Sequence, residues 1–421
     1  MKALVAVLLV LVAGLSAGCG GDELGVSETS CGRVLYEGEG KPDVVVVSDL
    51  PLRGVLAQDS REMVDAIELV VRRRNFTAGA HRVGYQSCND SVGNEPFDPL
   101  LCRQNARAYA RSEPVIAVVG PFNSGCALEQ IPIVSRKSAG PLAMVSPNTD
   151  FEGLTRTFRG GFGASLYPDG LRSFARLNPQ NGAQGAAAAN LALRLGARRA
   201  VVLHQGDARE RGTADYSRGI TLRFLEAANA LGLSARTFDW RKQKAYGRLA
   251  SEVAAARPDV VFLAGLTEWN AKRLVEDIRA AVGPGVPLIA SNSFAFHGRA
   301  GELGSSGEGL YVLDLGVARD RLPVAGRRLL RALGLSPAGR SLAPEAAQAT
   351  EVLLDAIARS DGTRASVVDE LHETKVENGI LGSFSFDRFG DMVPASVSIY
   401  RVRDGRLVTE RVVRLASDDV S

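Results

Sequence analysis

Histidine is scarce: the 421 residues hold four, His81, His204, His297 and His372, with neither an HExxH pattern nor a paired spacing. Zinc-dependent hydrolysis and a histidine-based triad therefore lack their usual residues. Cysteine is sparse too, five residues with no CxxC spacing, which argues against a zinc site or a dithiol redox motif. The longest apolar run, Ala3 to Leu15, is too short to span a bilayer. Charge of one sign is also missing. The formal net charge is only +3 and the arginines are spread along the chain, so no nucleic-acid surface is indicated. The segment Gly120 to Gly125 has the strand-to-helix setting of a phosphate loop, but Cys126-Ala127 stands where Lys and Ser/Thr would be needed. Ser124 lacks the flanking glycines of a GxSxG elbow and reads as a capping or ligand hydroxyl. No metal or cofactor is expected, and no enzymatic activity.

What is present is a repeated alternation of strands and helices. A hydrophobic content of 45% is that of a globular chain, and 421 residues exceed one ordinary core, so two lobes are expected. DVVVVS (Asp43–Ser48), Arg82–Gln86, Val115–Val119 and Pro141–Val145 read as buried strands separated by helical patterns. Arg199–His204, Asp259–Ala264 and Val286–Ala290 repeat the pattern after Asn178–Gly182. Such spacing argues for βαβ units and parallel sheets. Val397–Val402 and Leu407–Val413 flank Asp404-Gly405, the signature of a tight hairpin. Pro132 lies inside the helical pattern after Ser124, so that helix is expected to kink or begin late. The polar turns Asn123-Ser124-Gly125 and Ser146–Asp150 follow neighbouring strands and should meet at one carboxyl edge, where α/β proteins bind ligands. Trp240 reads as structural; Trp269, in a loop after a strand, is equally a candidate to line a cleft.

The amino-terminal residues read as an export signal: Lys2, an apolar run, then Ser16-Ala17-Gly18-Cys19. Small residues running into a cysteine resemble a bacterial lipobox, with Ser16 standing where Leu is usual. The expectation is cleavage after residue 18 and lipidation of Cys19, the alternative being ordinary signal cleavage. Residues 19–42 then form a tether. Cys31, Cys88, Cys102 and Cys126 remain, an even number in an exported chain, and two disulfides are expected with three pairings open. The reading favours Cys88 with Cys126, and Cys88 with Cys102 is the local competitor.

The ordered segments DVVVVSDLPLRG, HRVGYQSCND, VIAVVGPFNSG, PLAMVSPNTD, VVLHQGD, DVVFLAG and GSFSFDRFGD resemble the periplasmic-binding proteins of fold type I, especially the leucine/isoleucine/valine-binding receptors of ABC transporters. The resemblance runs from about Asp43 to Val413. It implies two doubly wound, Rossmann-like α/β lobes joined by three crossovers near Arg172–Asn181, Gly309–Ala318 and Asn378–Gly382, with a ligand cleft between them. Lobe 1 would comprise residues 43–176 plus 316–378, and lobe 2 residues 177–315 plus 379–421. It further implies that a ligand carboxylate meets the loops of Ser124, Gly125 and Cys126 and of Asn148, Thr149 and Asp150, with Leu52 nearby. By the same resemblance, Asp207, Glu268, Trp269 and Asn292 of the second lobe would face the cleft. Ser291-Asn292-Ser293 stands where amino-acid receptors of this family place a carboxylate for the ammonium, which leaves Glu268 or Asp207 to supply it. The implied function is a monomeric, lipid-anchored receptor on the outer face of the cytoplasmic membrane or in the periplasm. It would take a small polar, carboxylate-bearing metabolite, amino-acid- or amide-like, to an ABC permease. The rivals are a sensor of the same fold feeding a signalling partner and, less favoured, an exported hydrolase.

Overall fold

A computed structural model describes residues 25–26, 30–157, 162–206, 211–267, 269–295, 299–337 and 340–415. Lipidation of Cys19 and the export signal fall outside the described residues. The first run of elements is β1 (Val44–Leu50), α1 (Ala57–Arg73), β2 (Thr77–Ala78), β3 (His81–Asn89), α2 (Pro99–Arg111), β4 (Val115–Val119), α3 (Ser124–Val134), β5 (Ala143–Ser146) and β6 (Phe174–Arg176). They make a sheet of order β2-β3-β1-β4-β5-β6, parallel except for the short β2–β3 edge. Strand β4, the Val44–Val47 start of β1 and Ala143–Val145 of β5 are all Val, Ile, Ala and Met because both faces are covered by helices.

The chain then crosses into a second sheet. Its elements are α4 (Gly182–Arg194), β7 (Arg199–His204), α5 (Arg211–Ala230), β8 (Ser234–Asp239), α6 (Gly247–Ala255), β9 (Val260–Ala264), α7 (Ala271–Val282), β10 (Leu288–Ala290), α8 (Arg299–Glu302) and β11 (Tyr311–Leu315). It returns for α9 (Val324–Ala332), α10 (Ala343–Arg359) and α11 (Arg364–His372), and for a small antiparallel sheet of β12 (Lys375–Gly379), β13 (Gly382–Phe386) and β14 (Met392–Val393). It ends with β15 (Ala395–Arg403) and β16 (Arg406–Leu415), which close the second sheet in the order β16-β15-β11-β10-β9-β7-β8. Asp404 and Gly405 both have positive φ, at 50° and 69°, as the tight turn of this hairpin demands.

Each lobe has two half-cores, one on either side of its sheet. Met63, Ile67, Val70 and Val71 of α1, spaced three and four apart, bury one stripe with Leu353, Ala356 and Ile357 of α10. Burying each such side chain is worth about 1.5–3 kcal/mol. Helix α10, distant in sequence, is thereby part of the first lobe. Ile380, Leu381, Phe384, Phe386 and Met392 join the same core. The third crossing therefore falls at Pro394, between β14 and β15, rather than at Asn378–Gly382, which forms the turn end of the β12–β13 hairpin. Helix α3 runs from Ser124 to Val134 with Pro132 inside it, so it does not begin late.

The disulfides are Cys31–Cys88 and Cys102–Cys126, which corrects the expected Cys88–Cys126 pairing. The segment around Cys31 and Leu35 lies antiparallel beside β3, with Cys31 opposite Cys88 and Leu35 opposite Tyr85. That pairing leaves Cys126 to meet Cys102 across the packed helices α2 and α3. Among the described residues no helix is long and apolar enough to cross a membrane.

Candidate functional site

In both sheets the first strand lies between the second and third of its parallel series: β3-β1-β4 in one and β8-β7-β9 in the other. The chain reverses winding direction between β1 and β4 and between β7 and β9, and at such points the loops leaving the carboxyl ends open a crevice. Leu52 and Ser124 follow β1 and β4; Asp207 and Glu268 follow β7 and β9 in sequence but lie outside the described residues. Gly120 turns the chain away from β4 at φ 140°, where a Cβ would stand 2.6 Å from the Asp49 carbonyl.

In the first lobe, Leu52 is half-buried and its N–H donates to Asn89 Oδ1 at 2.9 Å. The Ser124 hydroxyl accepts the N–H groups of Asp150 at 3.3 Å and Phe151 at 3.2 Å, and lies 3.5 Å from Asp150 Oδ1. It ties the β4 loop to the β5 loop. Gly125 lies under the Phe97 ring, and Asn123 Nδ2 donates to the Pro96 carbonyl at 2.8 Å. The Cys126 sulfur is committed to its disulfide, leaving the site only its backbone. Asn148 is held by its Nδ2 bond to the Phe122 carbonyl and accepts from Asn178 Nδ2. The N–H of Thr149 donates to Ser146 Oγ at 3.0 Å, while its own hydroxyl is buried without a partner. Burial pushes the Asp150 carboxyl up to about 6 against the opposing pull of Arg176, Arg340 and Ser124.

In the second lobe, Asn292 is buried, donates its N–H to Gln184 Oε1 at 2.7 Å and accepts the Tyr216 hydroxyl. The Trp269 side chain packs against the second-lobe core, and its carbonyl accepts from Trp240 Nε1 at 3.2 Å and Tyr246 OH at 2.5 Å. Trp240 is fully buried, in keeping with a structural role.

Tyr216 was not among the expected residues. The periodic apolar pattern of its helix begins at Ile220, but α5 starts nine residues earlier, at Arg211, and so carries Tyr216 to the seam. There it bonds Asn292, and the charge of Asp150 adds to the burial that raises its phenol. Asn181 joins the two sides: its N–H donates to the Asp150 carbonyl at 2.8 Å and its Nδ2 to the Tyr216 carbonyl at 3.3 Å.

The crossovers are pinned by ion pairs. Arg176, fully buried at the end of β6, donates to Asp391 Oδ1 at 2.7 Å, Phe151 O at 2.6 Å and Thr155 Oγ1 at 2.7 Å. Asp391 also receives Arg156 Nε at 3.2 Å and Gln180 Nε2 at 2.5 Å. Burial alone would raise the Asp391 carboxyl, but Arg176 and Thr155 outweigh it and hold it below its ordinary value. At the second crossover Arg340 pairs with Asp314 at 3.0 Å and Arg319 with Glu345 at 2.8 Å.

Behind the Ser124 loop lies a contrasting cluster. Asp49 accepts from Asn105 Nδ2 at 2.9 Å and from Gln130 Nε2, and burial raises it to about 7 despite those bonds. Both oxygens of buried Asp90 lack a partner; burial, then the charge of Asp49, pushes it well above its ordinary range. Asp90 approaches the sulfurs of Cys102 and Cys126, but those are oxidised to a disulfide and offer no thiolate to a metal.

Two α/β lobes wound in this way around three crossovers define the architecture of the fold type I substrate-binding proteins. Solved structures of that class match over nearly their whole length. A leucine-binding protein from Thermotoga maritima is 22% identical, with a TM-score of 0.68 over 89% of this chain and 99% of that one. A substrate-binding protein from Desulfitobacterium hafniense in complex with Leu gives 22% and 0.68 over 87% and 99%. A solute-binding protein from Rhodopseudomonas palustris in complex with p-hydroxybenzoic acid gives 16% and 0.68 over 89% and 98%. No family model matches the sequence. No curated protein matches it either.

Proposed function

We propose that this protein is an extracytoplasmic solute-binding receptor that closes its two lobes on a small polar metabolite, amino-acid- or amide-like, and delivers it to an ABC permease. The observation that carries the reading is the pairing of two switch-point edges across three short crossovers, with Asp150, Asn181, Tyr216 and Asn292 gathered at the seam. Closure about those crossovers would present a joint surface to the permease, a hinge motion without covalent chemistry. Anchoring through Cys19 belongs to the same proposal. The reading as a binder also suits Ser124, whose hydroxyl is taken up by the backbone amides of Asp150 and Phe151 and so ties two loops together.

The test is calorimetry of the purified protein against amino acids, amides, amines and small organic acids, paired with solution scattering. We expect heat with at least one class and a smaller radius of gyration on binding. Silence in both measurements across all classes would end the receptor reading.

A further inference from the structure

The first-lobe edge is closed to an anion by the chain's own groups. A hydroxyl offers one donor and two acceptor positions, and Ser124 uses both acceptor positions on Asp150 and Phe151 N–H. Its proton is directed at Asp150 Oδ1. The start of α3 is covered on another side by Phe97, whose Cζ would lie 2.2 Å from a Cβ placed on Gly125. A ligand carboxylate brought to this edge would meet an aromatic ring and a carboxylate.

Beside Asp150, by contrast, buried acceptor positions are open, while the unpartnered buried donor Gln184 Nε2 belongs to the residue that receives the Asn292 N–H. Asn181 Oδ1 is buried without a partner, and its orientation is fixed because Nδ2 donates to the Tyr216 carbonyl. The backbone bond from Asn181 to Asp150 sets it beside that residue. Thr149 Oγ1, next in sequence to Asp150, is also buried and unpartnered and, as a hydroxyl, can accept from a ligand N–H as well as donate. The cations within electrostatic reach of Asp150 are committed elsewhere, Arg176 to Asp391 and Arg340 to Asp314. Unpartnered buried acceptors carry a desolvation cost that a ligand rich in N–H donors removes.

Resting on the receptor reading, we propose that the ligand group recognised at Asp150 is a cationic donor, an ammonium or a guanidinium, and not a carboxylate. This departs from the solved neighbours, whose ligands leucine, isoleucine, benzoate and p-hydroxybenzoic acid all carry a carboxylate. It also supplies, from the first lobe, the counter-ion that Ser291-Asn292-Ser293 does not provide in the second. A carboxyl raised by burial to about 6 is ionised at pH 7.5 and largely neutral at pH 5, so capture of a cation should weaken on acidification.

The experiment is calorimetry at pH 7.5 with putrescine and agmatine, which carry no carboxylate, and with benzoate and isovalerate, which carry no ammonium. We expect heat from an amine or guanidine probe and none from the two anions. Asp150→Asn should weaken the cation at least tenfold at unchanged melting temperature, and the wild type should lose about tenfold between pH 7.5 and pH 5. Binding of benzoate or isovalerate with silence from both cations overturns the inference and leaves the receptor reading standing. Cation binding indifferent to both Asp150→Asn and pH also overturns it. Silence from all four probes, with no compaction in scattering across the wider panel, removes the receptor reading and this inference with it.

Discussion

Asp391 and Asp90 are both buried carboxylates of the first lobe, and they stand in opposite states. Asp391 at the hinge is wrapped by Arg176, Arg156, Thr155 and Gln180 and is held ionised. Asp90, behind the Ser124 loop, faces Asp49, two carboxamides that donate to Asp49 instead, and a disulfide. With no cation bonded to either acid among the described residues, burial favours the neutral form of both, and the charge of Asp49 adds to the rise at Asp90. Depth is the same in both places; what faces the carboxyl decides its charge. Asp150 at the seam falls between them, half-buried, with arginines in reach but bound to other acids.

The sharpest test of this contrast is Asp391→Ala, which strands the fully buried Arg176 without its counter-charge. It should cost about 3–5 kcal/mol in denaturant unfolding at pH 7. A cost below about 1 kcal/mol would mean that the hinge pair is not held as described. Next in size, replacing both Cys102 and Cys126 by Ala opens a loop of sequence separation 24 beside Asp90. A loss of about 2–4 kcal/mol is expected from the unfolded-state constraint alone.

Smaller, but distinctive in sign, is the pH dependence. Asp49 is raised from the ordinary 3.8 to about 7 and Asp90 shifts the same way. Between those pH values the folded chain keeps a proton that the unfolded chain has lost, so stability falls as pH rises through this window and does not recover above it. Melting temperatures should therefore be lower at pH 8 than at pH 5, by an amount equivalent to about 1–3 kcal/mol. Asp90→Asn should flatten the profile. An equally steep profile in that variant would locate the proton elsewhere.

The strands and their order were legible because buried parallel strands are written as β-branched runs, VVVVS and VIAVV among them, and because Asp404-Gly405 announces its hairpin. The loops of Ser124 and Asp150 were legible as one edge for the same reason. Their bonding was not: nothing in SPNTD indicates that the Asp150 amide would consume the Ser124 hydroxyl. Long-range pairings were the least readable. Arg176 and Asp391 are separated by 215 positions, and only the folded chain makes them partners. Cys31 was hidden differently. Its surroundings, poor in bulky apolar residues, read as tether, whereas the pairing of Cys31 and Leu35 beside β3 is set by backbone bonds that side-chain patterns do not reveal.

That pairing has a mechanical consequence. Tension applied to the chain ahead of Gly25 would meet the bonds of Val26 to Gln86 of β3 and then, through the disulfide, Cys88 of the same strand. The load would enter the first sheet at β3, next to its central strand β1, and would bypass the hinge. In the proposed closure, with the amino end held, the first lobe would be the stationary jaw and the second would be the one that swings.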